Sequence, residues 1–304
     1  MVKRCSPIFL VAVLLLLSFS KVGAASPVSF EIVASFDYPD VSSTQAYGLN
    51  DLDQVVGRVF TVDDLNETRG FVRFRDGHFS PPIQVPFLAG NGTAISGINN
   101  LADYCGTYAN GSHYHGFLWQ GGVYTSFDIP GSAWTYVNGL NDAGNFCGDS
   151  ADAVTDDRTA FVSIDGVVTS FPVADADFVE AFAINNLNQC VGRYQTGTGF
   201  GAGFVRQPDG TLIYPISALG ATYTWLSGID DRGRMVGAVA DQSGGIQGVF
   251  FKSLNHSATF AYPEAAVTFF TGINNHGLIC GWYQDSVSYN IHSFLVKVRG
   301  ATED

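Results

Sequence analysis

The residues best placed to do chemistry are His113, Tyr114 and His115. On an extended strand alternate side chains share a face, so the imidazoles of His113 and His115 have the type and spacing of two zinc ligands. A zinc site needs a third protein ligand, and none is local. His292 is equivalent to His115 within the repeat described below, but far from it around the molecule. The pair therefore reads first as exposed loop histidines, and no metal is assigned.

Paired carboxylates are the next candidates. Asp63-Asp64 and Asp156-Asp157 lie in loops, and glycoside hydrolysis needs two carboxyls about 5 to 9.5 Å apart. Asp149, Asp152 and Asp156 form a loose calcium-like run without the central Gly and closing Glu of a recognised loop. Solvated loop acids are the favoured reading. Trp134, Tyr136, Tyr223 and Trp225 belong to strands near the axis, where aromatic faces either stack on sugars or pack between sheets. His113, His115, Trp134, Tyr136 and Trp225 are thus the candidate binding residues. No Gly-x-Ser-x-Gly elbow, His-Glu-x-x-His, Walker loop or dinucleotide fingerprint is present, so no catalytic residue and no cofactor is assigned.

These residues sit in a chain that repeats itself. An Asn or Asp is followed seven residues later by Gly at Asn50/Gly57, Asn99/Gly106, Asn141/Gly148, Asn185/Gly192, Asp230/Gly237 and Asn274/Gly281, with markers 49, 42, 44, 45 and 44 residues apart. A period in the forties, rich in Gly and aromatics, belongs to radial β arrays. Each repeat reads as inner strand, Asn turn, second strand, loop, third strand, turn and outer strand. Three residues after each marker stands Asp53, Ala102, Gly144, Asn188, Gly233 or Gly277, and all but Ala102 tolerate positive φ. That is a type I turn ending in a left-handed residue, with the marker side chain capping it. Third strands carry Phe71, Phe117, Phe161, Phe204, Phe250 and Phe294 as core residues. Outer strands end at Pro39, Pro86, Pro130, Pro172, Pro215 and Pro263, as an edge strand permits.

The expected fold is all-β, a six-bladed β-propeller of four-stranded antiparallel blades. The last third strand has no outer strand after it, and Phe36-Asp37-Tyr38-Pro39 matches Phe127-Asp128-Ile129-Pro130. The N-terminal strand, about Phe30 to Pro39, should therefore close the last blade and leave no open edge. Thr44, Thr93, Thr135, Thr224 and Thr268, each six residues before a marker, either ring a channel or bond neighbouring blades, with the second preferred. Cys105, Cys147, Cys190 and Cys280 hold nearly equivalent positions, which on neighbouring blades should stand roughly 10 Å apart, beyond the ~7 Å reach of a disulfide. They read as buried free thiols.

The pattern Gly-Ile-Asn-Asn-x-Gly-x-Ile-x-Gly-x-Tyr, clearest at Gly272 to Tyr283 and followed by short strands such as His115-Gly116-Phe117-Leu118, resembles the secreted HAF-repeat proteins. The resemblance runs from about Phe30 to Val298. It implies an extracellular propeller-like repeat protein and no defined activity.

Residues 1–24 read as a secretory signal: Lys3 and Arg4, then an apolar core from Phe9 to Leu17, then Val22-Gly23-Ala24-Ala25. The apolar run is too short to span a bilayer, which needs about 20 residues. Residues 25–304 are then one propeller domain. Without the leader 12 basic residues face 28 acidic ones, since Lys3, Arg4 and Lys21 are all in it. Such acidity opposes binding to nucleic acid or an anionic membrane. The expectation is a secreted monomer, extracellular or periplasmic, that binds a glycan or protein and is not an enzyme. The alternative is a secreted hydrolase or lyase with a carboxylate or metal site at the channel mouth.

Overall fold

One local device explains both marker residues. The computed structural model describes residues 28–60, 68–87, 92–155, 157–199 and 201–300; residues 1–24, expected to be a signal, and Asp63-Asp64 and Asp156 lie outside them. Each inner strand bulges near its end, with register shifts at Ala46/Gly48, Ile95/Gly97, Val137/Gly139, Ala181/Ala183, Leu226/Gly228 and Phe270/Gly272. The residue inside the bulge turns toward the axis, as bulges do. The bulge also drives an inner-strand carbonyl against the second strand. A Cβ on Gly57 would stand 1.9 Å from the Gln45 carbonyl oxygen, and one on Gly192 would stand 1.9 Å from that of Glu180. The same contact recurs at Gly106, Gly148, Gly237 and Gly281. The marker is glycine because no side chain fits.

The Asn turns form as the sequence predicts. Asp53 N donates to Asn50 O at 3.2 Å, while Asn50 Oδ1 accepts from Leu52 N and Gln54 N at 3.1 and 3.0 Å. All six residues three after the marker have positive φ, including Ala102 at 63°, so the turn overrides the Cβ penalty there.

The described residues contain 23 strands. Blade one holds Thr44–Leu49, Val55–Phe60 and Thr68–Arg73. Blade two holds Gly92–Ile98, Tyr104–Asn110, His113–Gln120 and Val123–Phe127. Blade three holds Trp134–Leu140, Phe146–Ala151, Arg158–Ile164 and Val167–Phe171. Blade four holds Ala176–Ile184, Cys190–Thr196, Gly201–Arg206 and Leu212–Ile216. Blade five holds Tyr223–Ile229, Met235–Ala240, Ile246–Ser253 and His256–Phe260. Blade six holds Ala265–Ile273, Leu278–Asp285 and Ile291–Arg299, and its outer strand is Ser29–Phe36 from the front of the chain. Phe30 pairs with Val298 and Phe36 with Ser293, antiparallel, so the closure is the expected one. The fold is thus a six-bladed propeller.

Blade one departs from expectation. Among the described residues no outer strand ends at Pro86; the isolated bridges Gly70–Ile83 and Arg73–Phe79, with hydrogen bonds such as Ser80 N to Val72 O at 2.8 Å, hold that edge. Pro81 and Pro82 fall between them and remove two backbone donors.

Blades are joined by matching contacts. One parallel bridge links each third strand to the next inner strand: Thr68–Gly92, Tyr114–Trp134, Arg158–Phe178, Gly201–Tyr223, Ile246–Val267 and Ile291–Ser43. Between blades pack the six third-strand phenylalanines, all fully buried. Each such ring contributes about 1.5–3 kcal/mol by leaving water. The threonines are clasps and face away from the channel. Thr44, Thr135 and Thr268 Oγ1 accept from the amides of Tyr38, Ile129 and Tyr262 at 2.9, 3.0 and 2.9 Å, tying an outer strand to the next inner strand. The four described cysteines are free and buried. Cys147 and Cys190 share one core cluster, and burial, with Cys190 alongside, pushes the Cys147 thiol up.

Candidate functional site

The channel along the axis has two unlike ends. At the Asn-turn end the residue after each marker alternates: Asp51, Asn100, Asp142, Asn186, Asp231, Asn275. Each Asn amide donates to the carboxylates on both sides. Asn100 Nδ2 reaches Asp51 and Asp142 Oδ2 at 3.1 and 2.9 Å, Asn186 reaches Asp142 and Asp231 at 3.0 and 3.1 Å, and Asn275 reaches Asp231 and Asp51 at 2.8 and 2.9 Å. Each backbone amide of the ring also donates to the Oδ1 of the next member, at 2.7–2.9 Å. The ring is closed and leaves a space of about 70 Å³.

The marker amides form a second ring beneath it. Asn50, Asn99, Asn141 and Asn185 Nδ2 donate to the marker carbonyl of the following blade at 2.9, 3.1, 3.0 and 3.0 Å, and Asn274 donates to Asn50 O at 3.1 Å. Asp230 has no amide to give. There Arg234 Nε binds Asp230 Oδ2 at 2.6 Å, and Arg232 and Arg234 donate to Asn275 O at 3.1 and 3.4 Å. The capping oxygen was legible in the sequence; the inter-blade reach of the amide was not.

The other end opens into a funnel of about 860 Å³ drawing on all six blades. The bulged residues Tyr47, Ser96, Asn138, Phe182, Ser227 and Thr271 form its floor. Above them, two residues earlier, come Gln45, Ala94, Tyr136, Glu180, Trp225 and Phe269, of which all but Gln45 line the funnel. The wall divides into aromatic and ionic sectors. In blades five and six Trp225 lies 4.4 Å from Tyr223 and 5.6 Å from Phe269, and Phe269 stacks on Trp282 at 4.5 Å. In blades two and three Tyr114 stacks on Tyr136 at 5.6 Å, and the Arg158 guanidinium covers the Tyr136 ring at 4.8 Å.

Blades three and four supply the charge. Glu180 Oε1 accepts from Arg158 at 2.7 Å, and its Oε2 is bound by Arg193 Nε. Arg158 also reaches Asp149 Oδ2 at 3.3 Å, and Asn138 Nδ2 donates to Asp149 Oδ1 at 2.9 Å. Asp149 is 1% exposed. Burial and the nearby Glu180 charge push its carboxyl up to about 8, against the pull of Arg158. Ion pairs as buried as those of Glu180 are a weak source of net stability; their geometry holds Arg158 and Arg193 in place.

Of the sequence candidates, Tyr136 and Trp225 face the funnel and are half-buried. Trp134 is half-buried above them, its Nε1 donating to Ser112 O at 3.0 Å. His113 is exposed and beside Ser112. His115 Nδ1 lies 2.9 Å from Asp128 and His292 Nδ1 2.8 Å from Asp37, and each imidazole lies against a tyrosine, Tyr108 or Tyr283. The two histidines thus occupy equivalent His–Asp pairs in blades two and six. Asp152 caps its own loop through Val154 N at 2.8 Å and does not join Asp149. No cluster of three or more His, Cys, Asp or Glu able to hold a metal occurs among the described residues. Arg58, Arg158, Glu180 and Arg193 were missed, and Asp149 was read only as part of a calcium-like run. The available signal was a charged residue set in a strand segment that is otherwise largely apolar.

No family model matches the chain, and no curated protein matches it. Solved structures do. A protein of unknown function from Dyadobacter fermentans superposes with a TM-score of 0.57 at 9% identity, covering 89% of this chain and 99% of that one. AofleA from Arthrobotrys oligospora gives 0.54 at 10%, covering 90% and 88%. The Aleuria aurantia lectin, solved with Fucα1-6GlcNAc, gives 0.51 at 9%, covering 86% and 97%. At these identities the likeness concerns the fold.

Proposed function

We propose that this chain is a secreted, monomeric binding protein, not an enzyme, and that it takes a saccharide into the central funnel. One observation carries the reading. A funnel of about 860 Å³ offers the faces of Tyr136, Trp225 and Phe269 beside a fixed set of polar groups, Asn138, Glu180, Arg158 and Arg193. Ligand pockets of roughly 300–1,000 Å³ combine such faces with a few placed polar groups. A pyranose suits this wall, since its C–H face lies on an aromatic ring while its hydroxyls meet charged acceptors and donors.

The hydrolase or lyase reading asks for a carboxylate with an open face. Glu180 gives both oxygens to arginines, and Asp149 stands buried behind Arg158. The Aleuria aurantia lectin shares the fold and is solved with a disaccharide, which agrees with a glycan ligand. Membership of the secreted repeat proteins that the sequence resembles is part of the same proposal.

A glycan array run on the purified mature protein, beside metal analysis, tests it. Capture of a saccharide without turnover is expected, and Trp225→Ala should weaken it at least tenfold, about 1.4 kcal/mol, while the melting temperature holds. Cleavage of the captured glycan, or a stoichiometric metal, would move the assignment to an enzyme.

A further inference from the structure

Resting on the funnel as a saccharide site, we infer that its ligand is acidic, and that Arg58 binds the carboxylate of a uronic-acid residue. Blades one and four of the chain differ at one pair of equivalent positions. Arg58 and Arg193 hold the same repeat position, one residue after the marker Gly57 or Gly192. Gln45 and Glu180 likewise hold the same position, five residues before the marker. In blade four the arginine meets a carboxylate from its own blade, Arg193 Nε on Glu180. In blade one the same arginine meets a neutral amide, with Arg58 Nε on Gln45 Oε1 at 2.7 Å.

Arg58 lines the funnel and has no carboxylate partner among the described residues. Its side chain is nonetheless held. Gln45 Oε1 also accepts from Tyr47 OH at 2.7 Å, and the guanidinium lies 5.6 Å from the Tyr47 ring and 5.0 Å from that of Phe60. With Nε occupied and the plane fixed between aromatic groups, the two terminal nitrogens form a preset fork, the geometry that binds a carboxylate through two parallel bonds. The funnel wall carries three arginines against one carboxylate, Glu180, in a chain of net charge −13. An anion entering it is therefore drawn to a local cationic site on an acidic protein.

The test is titration calorimetry on the mature protein with three probes of matched length: an oligogalacturonate, its fully methyl-esterified form and a sulfated galactan oligomer. The uronate should bind at least tenfold tighter than its ester. Arg58→Gln should erase that preference while leaving the weaker binding of the ester in place. Gln45→Glu, which gives blade one the internal carboxylate of blade four, should erase it too. Equal binding of uronate and ester, or a preference that survives both substitutions, overturns the inference and leaves the funnel reading standing. Tighter binding of the sulfated oligomer overturns the carboxylate assignment. If none of the saccharides binds, the funnel reading itself fails.

Discussion

The side-chain amide of Asn275 lies 2.9 Å from Asp51 Oδ2, joining residues 224 apart in sequence. This contact closes the Asp/Asn ring between the last blade and the first beside the axis, whereas the strand exchange closes blade six at its outer edge. Asn275→Asp would remove two donors and set three carboxylates side by side. Charge-assisted hydrogen bonds contribute roughly 1.5–3 kcal/mol each, so a loss of about 3 kcal/mol is expected. Thermal melting should show it as a fall of roughly 6–12 °C for a domain of this size. An unchanged melting temperature would mean that the ring does not hold the blades.

Blade five supplies a natural double-mutant experiment. Asp230 is buried and its carboxyl is pushed up by burial, with Arg234 pulling the other way at 2.6 Å. Asp230→Asn alone strands a buried guanidinium, which costs about 3–5 kcal/mol. Blades one and four show the matching partner, since Asn50 and Asn185 donate to Gln54 and Gln189 at 2.8 and 2.9 Å. Asp230→Asn with Arg234→Gln should therefore recover most of the loss and supply the absent link to Asn274 O. Urea unfolding of the two single variants and the double variant gives the coupling directly, and additive losses would refute it.

The pH dependence of stability should carry the mark of Asp149. Its carboxyl is raised from 3.8 to about 8 in the folded protein. Between those values the unfolded chain releases a proton that the folded chain keeps, so this residue lowers stability as pH rises from about 4 to 8 and changes nothing above that. Asp149→Asn keeps an oxygen for Asn138 and Arg158 but cannot ionise. Melting temperature measured across pH 4 to 9 should fall less steeply in the variant. Parallel curves for the two proteins would show that Asp149 is ionised throughout.

The parts of this fold legible in the sequence were those set by local chemistry. The Asn turn, the outer prolines and the phenylalanine of each third strand follow from one repeat considered alone. Ring closure was legible too, because Phe36-Asp37-Tyr38-Pro39 is an outer strand in the wrong place. What the sequence hid depends on curvature. The alternation Asp51, Asn100, Asp142, Asn186, Asp231, Asn275 was visible as letters, but it means something only where each member meets its two neighbours around the axis. The ionic sector was hidden for the same reason. Glu180 resembles a misplaced charge in an apolar strand until the bulge at Ala181/Ala183 and the neighbouring blade bring Arg158 to it. The outer strand expected to end at Pro86 was the misreading, because Pro81 and Pro82 remove two backbone donors from that stretch.

The threonine clasps can be tested by exchanging residues between blades. Thr135 Oγ1 accepts from Ile129 N at 3.0 Å, and Thr135 is buried. Thr135→Val keeps the shape but leaves that amide without its acceptor, at a cost of about 1–3 kcal/mol. Blade four carries Val179 at the equivalent position, also buried. The reverse change, Val179→Thr, places a hydroxyl where the backbone amide of Val173 occupies the site of Ile129 N, six residues earlier. That variant should be neutral or gain up to about 1 kcal/mol, because the new oxygen meets a donor instead of an apolar wall. Denaturant midpoints for the two variants should move in opposite directions or leave Val179→Thr unchanged. A loss in Val179→Thr as large as that in Thr135→Val would show that packing, and not the hydrogen bond, sets the residue at this position.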